Sequence, residues 1–91
     1  MAEPVRKYVI TPHAAFEMAR RLVFESIVRG VLAGPEQRHS VRAGRDVLQS
    51  RIVVDGKTYL VRVFVDVDRS PAEIVTVYRT SRIAKYWRAA P

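Results

Sequence analysis

Side chains that can move a proton or hold a phosphate group occur along the whole chain, and four of them are our candidates for catalysis. An imidazole can accept a proton, a phenol or an ammonium group can donate one, and a guanidinium can grip a phosphate through two parallel hydrogen bonds. We take the following as candidate catalytic residues: His13, Arg62, Tyr78 and Lys85. They fall in three separate stretches of sequence, so the fold has to bring them together.

The C-terminal stretch concentrates such side chains most strongly. Residues 74–78 form a β-rich run, and residues 79–88 then carry four basic residues and no acidic one. Hydroxyl groups, cations and aromatic rings that collect at the end of a strand favour binding of a phosphate. The candidate substrate-binding residues, most of them from this stretch, are Arg21, Arg51, Arg79, Ser81, Arg82 and Tyr86. We interpret Trp87 as a core residue.

His13 has two interpretations that the sequence leaves open. It lies in the first turn of a predicted helix, where the positive end of the helix dipole favours the neutral imidazole that a general base needs. Glu17 and Arg21 follow at intervals of four residues and therefore share its helix face. The same spacing is typical of an ordinary exposed Glu–Arg pair, in which case His13 is only a surface residue.

Arg62 stands in the middle of a predicted strand, between Leu60 and Phe64. A guanidinium in that position either snorkels across an apolar surface or lies on an open sheet face as a receptor for an anion, and its ordinary role would be a structural salt bridge. Gln49 and Arg51 share one face of the preceding strand and could lie beside Arg62 across the hairpin. The sequence therefore predicts a polar patch on the sheet and leaves both roles of Arg62 open.

Composition restricts the class of function. The chain has 91 residues and a formal net charge of +7, from 16 Lys and Arg against 9 Asp and Glu, which favours a nucleic acid or an acidic protein as a partner. It has no cysteine, no apolar leader and no run of membrane length, so we expect a cytoplasmic protein outside the membrane. There is no cluster of histidines and carboxylates and no glycine-rich phosphate loop, so we expect no metal and no other cofactor.

Hydrophobic periodicity predicts one α+β domain over residues 1–91. We expect a strand or arm over residues 1–10, a helical hairpin over 11–34, an antiparallel sheet over 36–79 and a C-terminal helix over 80–88. Thr11 and Pro12 are suited to cap the first helix, and Asp55 with Gly56 predicts a tight hairpin turn. The predicted architecture is an N-terminal helical hairpin packed on three or four antiparallel strands, with a short C-terminal helix.

Three short motifs resemble a bacterial protein family. Residues 12–15 (Pro-His-Ala-Ala) with Met18 and Arg21, the helix end at residues 31–35 (Val-Leu-Ala-Gly-Pro) and the strand at residues 75–78 (Val-Thr-Val-Tyr) are similar to the family catalogued as domain of unknown function four-two-five-eight. The similarity spans residues 11–87. By its order of helices and strands this family resembles the RelE-like and BrnT-like ribonuclease toxins, whose fold packs N-terminal helices against an antiparallel sheet that bears the RNA site.

The resemblance implies both a function and a partner. Such toxins cleave mRNA without a metal ion and are neutralised by a cognate antitoxin. It therefore implies a metal-independent endoribonuclease of the toxin–antitoxin type, with an acidic antitoxin-like protein as its partner. The matching positions are His13, Arg21, Arg62 and residues 78–85. The alternative that the residues leave open is a non-catalytic basic module that binds nucleic acid or an acidic protein partner.

Overall fold

The protein is built on a five-stranded mixed sheet with three short helices. The structure, a computed structural model, describes residues 2–89; Met1 of the expected arm and the last two residues of the expected domain lie outside this range. The elements are β1 (Tyr8–Ile10), α1 (Pro12–Arg20), α2 (Glu25–Ala33), β2 (Gln37–Arg42), β3 (Arg45–Val54), β4 (Lys57–Asp66), β5 (Ala72–Thr80) and α3 (Ile83–Tyr86). The strands lie in the order β1-β5-β4-β3-β2.

The predicted sheet of three or four antiparallel strands is wrong, because β1 joins the sheet in parallel. Tyr8 pairs with Ala72 and Ile10 with Ile74, while the other neighbouring strands are antiparallel. A strand of three residues is too short to show in its own sequence which strand it will pair with. Its partner lies more than sixty residues further along the chain, so periodicity could not reveal the contact.

The predicted helical hairpin is also wrong. Four residues separate the two helices, and among them Leu22 adopts a left-handed conformation with φ of 56°. Helix α1 packs on β5, whereas α2 packs on β3 and β4, so each helix contacts the sheet more than it contacts the other helix. The RelE-like architecture expected from a hairpin on an antiparallel sheet is therefore corrected to a mixed sheet with three short helices.

The predicted capping of α1 by Thr11 and Pro12 is confirmed. Thr11 is the N-cap and its hydroxyl accepts a hydrogen bond from the backbone N–H of Ala14 at 3.2 Å, with Pro12 as the first helical residue. The Thr11 hydroxyl also donates to the carbonyl of Ile74 at 2.8 Å, which fixes the helix beside β5. Met18 and Ala14 then face the core, and removing such side chains from water supplies most of the helix's stability.

The β3–β4 hairpin gives the sheet two chemically different faces. Asp55 and Gly56 both have positive φ, 50° and 78°, as the predicted tight turn requires. We call the side that packs against α1 and α2 the helix face; it carries Leu48, Val61 and Val63 in the core. Because side chains alternate along a strand, the residues between them point to the other side, which we call the open face.

The C-terminal segment, residues 81–89, lies against the open face. Its helix α3 is much shorter than predicted, and no side chain caps it, although the Thr80 hydroxyl accepts a hydrogen bond from the backbone N–H of Arg82 at 3.0 Å. Trp87 is half-buried and lies outside the main core, so its predicted core position is not what the structure shows. This segment places aromatic rings over the middle of the sheet.

Candidate functional site

Strand register places four polar side chains in one row across the open face. Gln37 of β2 pairs with Gln49 of β3, Gln49 with Arg62 of β4, and Arg62 with Tyr78 of β5. Residues directly opposite each other in antiparallel strands lie on the same face with adjacent side chains. The polar patch that the sequence predicted around Gln49 and Arg62 is therefore present, and it extends over four strands.

A β-bulge in β5 turns Tyr78 toward Arg62. Val65 pairs with Ile74, but the next residue of β4, Phe64, pairs with Thr76, so Val75 is an extra residue in β5. Regular alternation from Ile74 would put Tyr78 on the helix face. The bulge reverses the alternation and places Tyr78 on the open face, which is a known use of bulges near functional sites.

Hydrogen bonds hold the Arg62 guanidinium in one position. Its Nε donates to Gln49 Oε1 at 2.8 Å, and its Nη1 donates to the Tyr78 hydroxyl at 2.7 Å. Gln49 in turn donates from Nε2 to Gln37 Oε1 at 2.8 Å. Gln49 is fully buried, so the row is a fixed support for the arginine and not a set of mobile surface groups.

Arg62 has no carboxylate partner among residues 2–89. It is only 9% exposed, yet all ion pairs formed by the described residues use other cations. The structural salt bridge considered for Arg62 is thus not formed with any of them. A buried charge without a countercharge is unfavourable in free energy, so stability alone does not account for this residue.

One side of the Arg62 guanidinium remains available. Its Nη2 makes no hydrogen bond with the described residues, and none of their side-chain N or O atoms is both buried from solvent and without a partner. Nη2 therefore exposes some surface to solvent, although Arg62 as a whole is only 9% exposed. A planar guanidinium with free donors is the group best suited to a phosphate oxygen.

Aromatic rings, in place of an acid, surround the guanidinium. The Cζ atom of Arg62 lies 4.5 Å from the ring centroid of Tyr86, 5.2 Å from that of Phe64 and 5.7 Å from that of Tyr78. Ring faces attract a cation without neutralising it, so the positive charge stays available to an anion. We call Gln49, Arg62, Phe64, Tyr78 and Tyr86 the Arg62 cluster.

Two further predicted residues stand at the rim of the cluster. Lys85 is exposed, with its Nζ 5.3 Å from the Tyr86 ring. Arg21, at the end of α1, has its Cζ 5.5 Å from the Tyr78 ring and also pairs with Glu17 at 2.9 Å. A hydrogen bond from Arg20 is the main cause that lowers the pKa of Glu17, so this carboxylate stays ionised and neutralises part of the positive charge at the rim.

Arg51 lies on the open face, but an ion pair with Glu36 neutralises part of its charge. Its register partner is Leu60, in the row next to Arg62. The guanidinium pairs with Glu36 at 2.9 Å, and its Cζ lies 4.1 Å from the centroid of the Trp87 ring. Arg51 therefore anchors the C-terminal segment and is less available to a ligand than Arg62.

Among residues 2–89, the remaining predicted residues form no hydrogen bond, ion pair or cation–ring contact with the Arg62 cluster. Arg79 pairs in register with Val61 and its Cζ lies 4.5 Å from the ring of Tyr59, which puts Arg79 on the helix face. Ser81 and Arg82 are exposed between β5 and α3. His13 is exposed in the first turn of α1, and no hydrogen bond, ion pair or ring contact of the described residues joins it to the Arg62 cluster.

His39 is a residue of this face that the sequence analysis missed. It is half-buried on β2 and pairs with Val47, which pairs with Phe64, so it lies in the row next to that of Arg62 and two strands away from it. Burial is the main cause that lowers the pKa of His39, and the charges of Arg88 and Arg62 lower it further, against Asp46. A neutral imidazole near pH 7 follows. The alternation of Gln37 and His39 in a polar edge strand was the signal that could have identified it.

A cleft with a volume of about 480 Å³ lies elsewhere, between the N-terminal arm and α2. Its lining includes Val5, Tyr8 and Gly30 and none of the Arg62 cluster. Two cations line it: Arg29, which is paired with Glu25 at 3.1 Å, and Arg6. None of the candidate catalytic or substrate-binding residues lines this cleft.

Comparison with protein-family models, with curated proteins and with solved structures found no match for the chain. Within residues 2–89 there is no group of three His, Asp or Glu residues that could hold a metal ion. None of the described helices is long and apolar enough to cross a bilayer.

Proposed function

We propose that the protein is a metal-independent endoribonuclease whose RNA substrate binds across the open face, with the scissile phosphate on Arg62. The observation that carries this proposal is the state of Arg62: buried, held by neutral partners, free of carboxylates among residues 2–89 and open at Nη2. Support comes from this face and not from a RelE-like architecture, because the mixed sheet contradicts the latter.

The groups around Arg62 are suited to a transesterification at a phosphate of the RNA backbone. The ribose 2′-oxygen attacks phosphorus and the bond from phosphorus to the 5′-oxygen breaks, which leaves a cyclic phosphate. Arg62 stabilises the charge that develops on the phosphate oxygens. Tyr78 accepts a hydrogen bond from Arg62, so its own proton is free to pass to the departing 5′-oxygen.

The proton of the 2′-hydroxyl needs an acceptor on the same face. His39 fills this role in the proposal, because it is the histidine of the open face and its lowered pKa keeps it neutral. His13 belongs to α1, whose core residues turn to the helix face. Lys85 adds positive charge at the rim.

The test is cleavage of a short single-stranded RNA by purified protein in the presence of a chelator. We expect cleavage by the natural chain and a loss of at least about a hundredfold in rate for Arg62→Gln and for Tyr78→Phe, as is usual when one charge-stabilising or proton-donating group is removed. Arg79→Gln is the matched control, since this arginine also contacts a tyrosine ring but lies on the helix face.

Two results would contradict the proposal. The first is an unchanged rate in Arg62→Gln. The second is cleavage that stops in the chelator and returns with a divalent cation.

A non-catalytic basic module is the second candidate, favoured by the net charge of +7. It would bind RNA, DNA or an acidic protein through the same face, without turnover and with an affinity that falls steeply with salt. The main proposal also includes a cytoplasmic location, because RNA and an acidic antitoxin-like partner would be present there. Co-purification of such an acidic chain from the source cells is the observation that would add the toxin–antitoxin assignment.

A further inference from the structure

Two adjacent aromatic rings of the C-terminal segment each lie on an arginine of the open face. The Tyr86 ring has the Cζ of Arg62 at 4.5 Å from its centroid, and the Trp87 ring has the Cζ of Arg51 at 4.1 Å. Both residues are half-buried, and neither belongs to the main core. Each ring thus has a guanidinium on one face and keeps part of its surface in contact with solvent, and the exposed Lys85 also places its Nζ 5.3 Å from the centroid of the Tyr86 ring.

Amide side chains of the polar row fix the backbone beneath these rings. Gln49 Nε2 donates to the carbonyl of Tyr86 at 3.2 Å. Gln37 Nε2 donates to the carbonyl of Arg88 at 2.6 Å, and Gln37 Oε1 accepts from the backbone N–H of Arg88 at 3.1 Å. The segment is thus held on both sides of Trp87, and its rings are positioned before any ligand arrives.

We propose that Tyr86 and Trp87 form a stacking platform for unpaired nucleobases, so that the substrate class of the open face is single-stranded RNA. This inference rests on the proposed function, because it assumes that RNA reaches the open face. Each base would lie on the outer face of a ring whose inner face rests on a guanidinium. Base-on-ring stacking tolerates any base, since every base has a π face.

Placement of the platform next to Arg62 agrees with a strand whose bases are splayed out. Arg62 lies directly beneath the Tyr86 ring, so a phosphate on Nη2 and a base on Tyr86 would belong to neighbouring parts of one strand. Paired bases in a duplex are stacked on one another and cannot reach the rings. The platform therefore selects against double-stranded RNA, although its phosphates carry the same charge.

Trp87 is the chain's single tryptophan, so its fluorescence reports directly on the platform. The probes are a short single-stranded RNA with 2′-O-methyl groups, which lacks the nucleophile for cleavage, the same strand annealed to its complement, and an abasic strand of equal length. We expect strong quenching with the single strand and little with the duplex or the abasic strand. Binding is followed separately by fluorescence anisotropy of a dye on the RNA.

Two variants separate stacking from packing. Trp87→Leu should raise the dissociation constant for the single strand roughly tenfold, within the range found for loss of one stacked base, while Trp87→Phe, which keeps a ring, should lose much less. Tyr59→Leu is the matched control, because the Tyr59 ring also carries an arginine, Arg79 at 4.5 Å, but lies on the helix face. The dissociation constant of the Tyr59→Leu variant for the single strand should equal that of the natural chain.

Equal affinity for the abasic and the natural single strand would overturn the platform, as would binding without a change in Trp87 fluorescence or no binding of the single strand at all. Failure of the nuclease proposal is distinguishable. Quenching by the single strand in a protein that never cleaves RNA keeps the platform and rejects catalysis, whereas cleavage without quenching rejects only the platform.

Discussion

At the scale of single residues, Arg62 combines burial with the lack of an acidic partner in the described chain. Its charge is stabilised by a neutral amide, a phenol and three ring faces. Each of these is weaker than a carboxylate in neutralising the charge. The result is a cation held rigidly and still able to attract an anion, which is the property that a phosphate receptor needs.

Gln49 is the residue on which this arrangement depends most. We predict that Gln49→Met lowers the free energy of unfolding by about 2 to 4 kcal/mol, because it leaves the buried Nε of Arg62 without an acceptor and removes the bonds to Gln37 and to the Tyr86 carbonyl. Urea unfolding followed by circular dichroism measures the change.

Gln37→Met is the control for this prediction. Gln37 is only half-buried and water can replace its hydrogen bonds, so the loss of unfolding free energy should be clearly smaller. Equal losses in the two variants would show that the row is not the buried support described here.

At the scale of elements, ion pairs tie the ends of neighbouring strands while the centre of the open face stays free of them. Arg45 at the start of β3 pairs with Asp66 at the end of β4, with 2.6 Å between Nε and Oδ1. Arg38 of β2 pairs with Asp46 of β3 at 2.8 Å. The carboxylates of Asp46 and Asp66 are thus engaged by other arginines, and neither pairs with Arg62.

The Arg45–Asp66 pair gives a prediction for acid stability. The hydrogen bond from Arg45 is the main cause that lowers the pKa of Asp66, and the charge of Arg69 adds to it. A carboxyl group with a lower pKa in the folded than in the unfolded state stabilises the fold above its unfolded pKa of about 3.9. That contribution is lost as the pH falls from there through the lower folded pKa.

We therefore expect Asp66→Asn to flatten the fall in unfolding free energy below about pH 4, measured by urea unfolding at a series of pH values. Asp55→Asn serves as the control, because Asp55 forms no ion pair within residues 2–89 and asparagine suits its turn equally well. An unchanged pH profile in Asp66→Asn would show that this pair does not contribute as stated.

Short-range signals in the sequence predicted individual elements well. The Thr11–Pro12 cap, the Asp55–Gly56 turn and the alternation that puts Gln49 and Arg62 on one face are all present, because each depends on neighbouring residues or on strand period alone. The parallel pairing of β1 depends on a contact distant in sequence, and periodicity carries no information about it.

The site was predictable only in part, for a related reason. Alternation counted from Ile74 puts Tyr78 on the wrong face, and only the bulge at Val75 brings it to Arg62. A bulge is set by the pairing of two strands and leaves little trace in one of them. The pKa of His39 is likewise lowered by its burial in the fold and by the charges of Arg88 and Arg62, which are distant from it in sequence.

At the scale of the whole molecule, the two faces of the sheet differ in role: the helix face stabilises the fold, and the open face carries the candidate site. The helix face holds the main apolar core with α1 and α2, and Arg79 lies there with Tyr59. The open face holds the Arg62 cluster under the C-terminal segment. A net charge of +7 draws a polyanion to the protein from any direction, so the decisive question is which face the polyanion finally contacts.

The most direct test of this account is a titration of the ¹⁵N-labelled protein with the 2′-O-methyl single-stranded RNA, followed by NMR. The Nε–Hε signal of Arg62 should be visible, since its hydrogen bond to the buried Gln49 slows exchange with water. We predict that this signal and the indole N–H signal of Trp87 shift on binding while that of Arg79 does not. Shifts confined to Arg79 and the helix face, with Arg62 and Trp87 unchanged, would contradict the assignment of the open face as the RNA site.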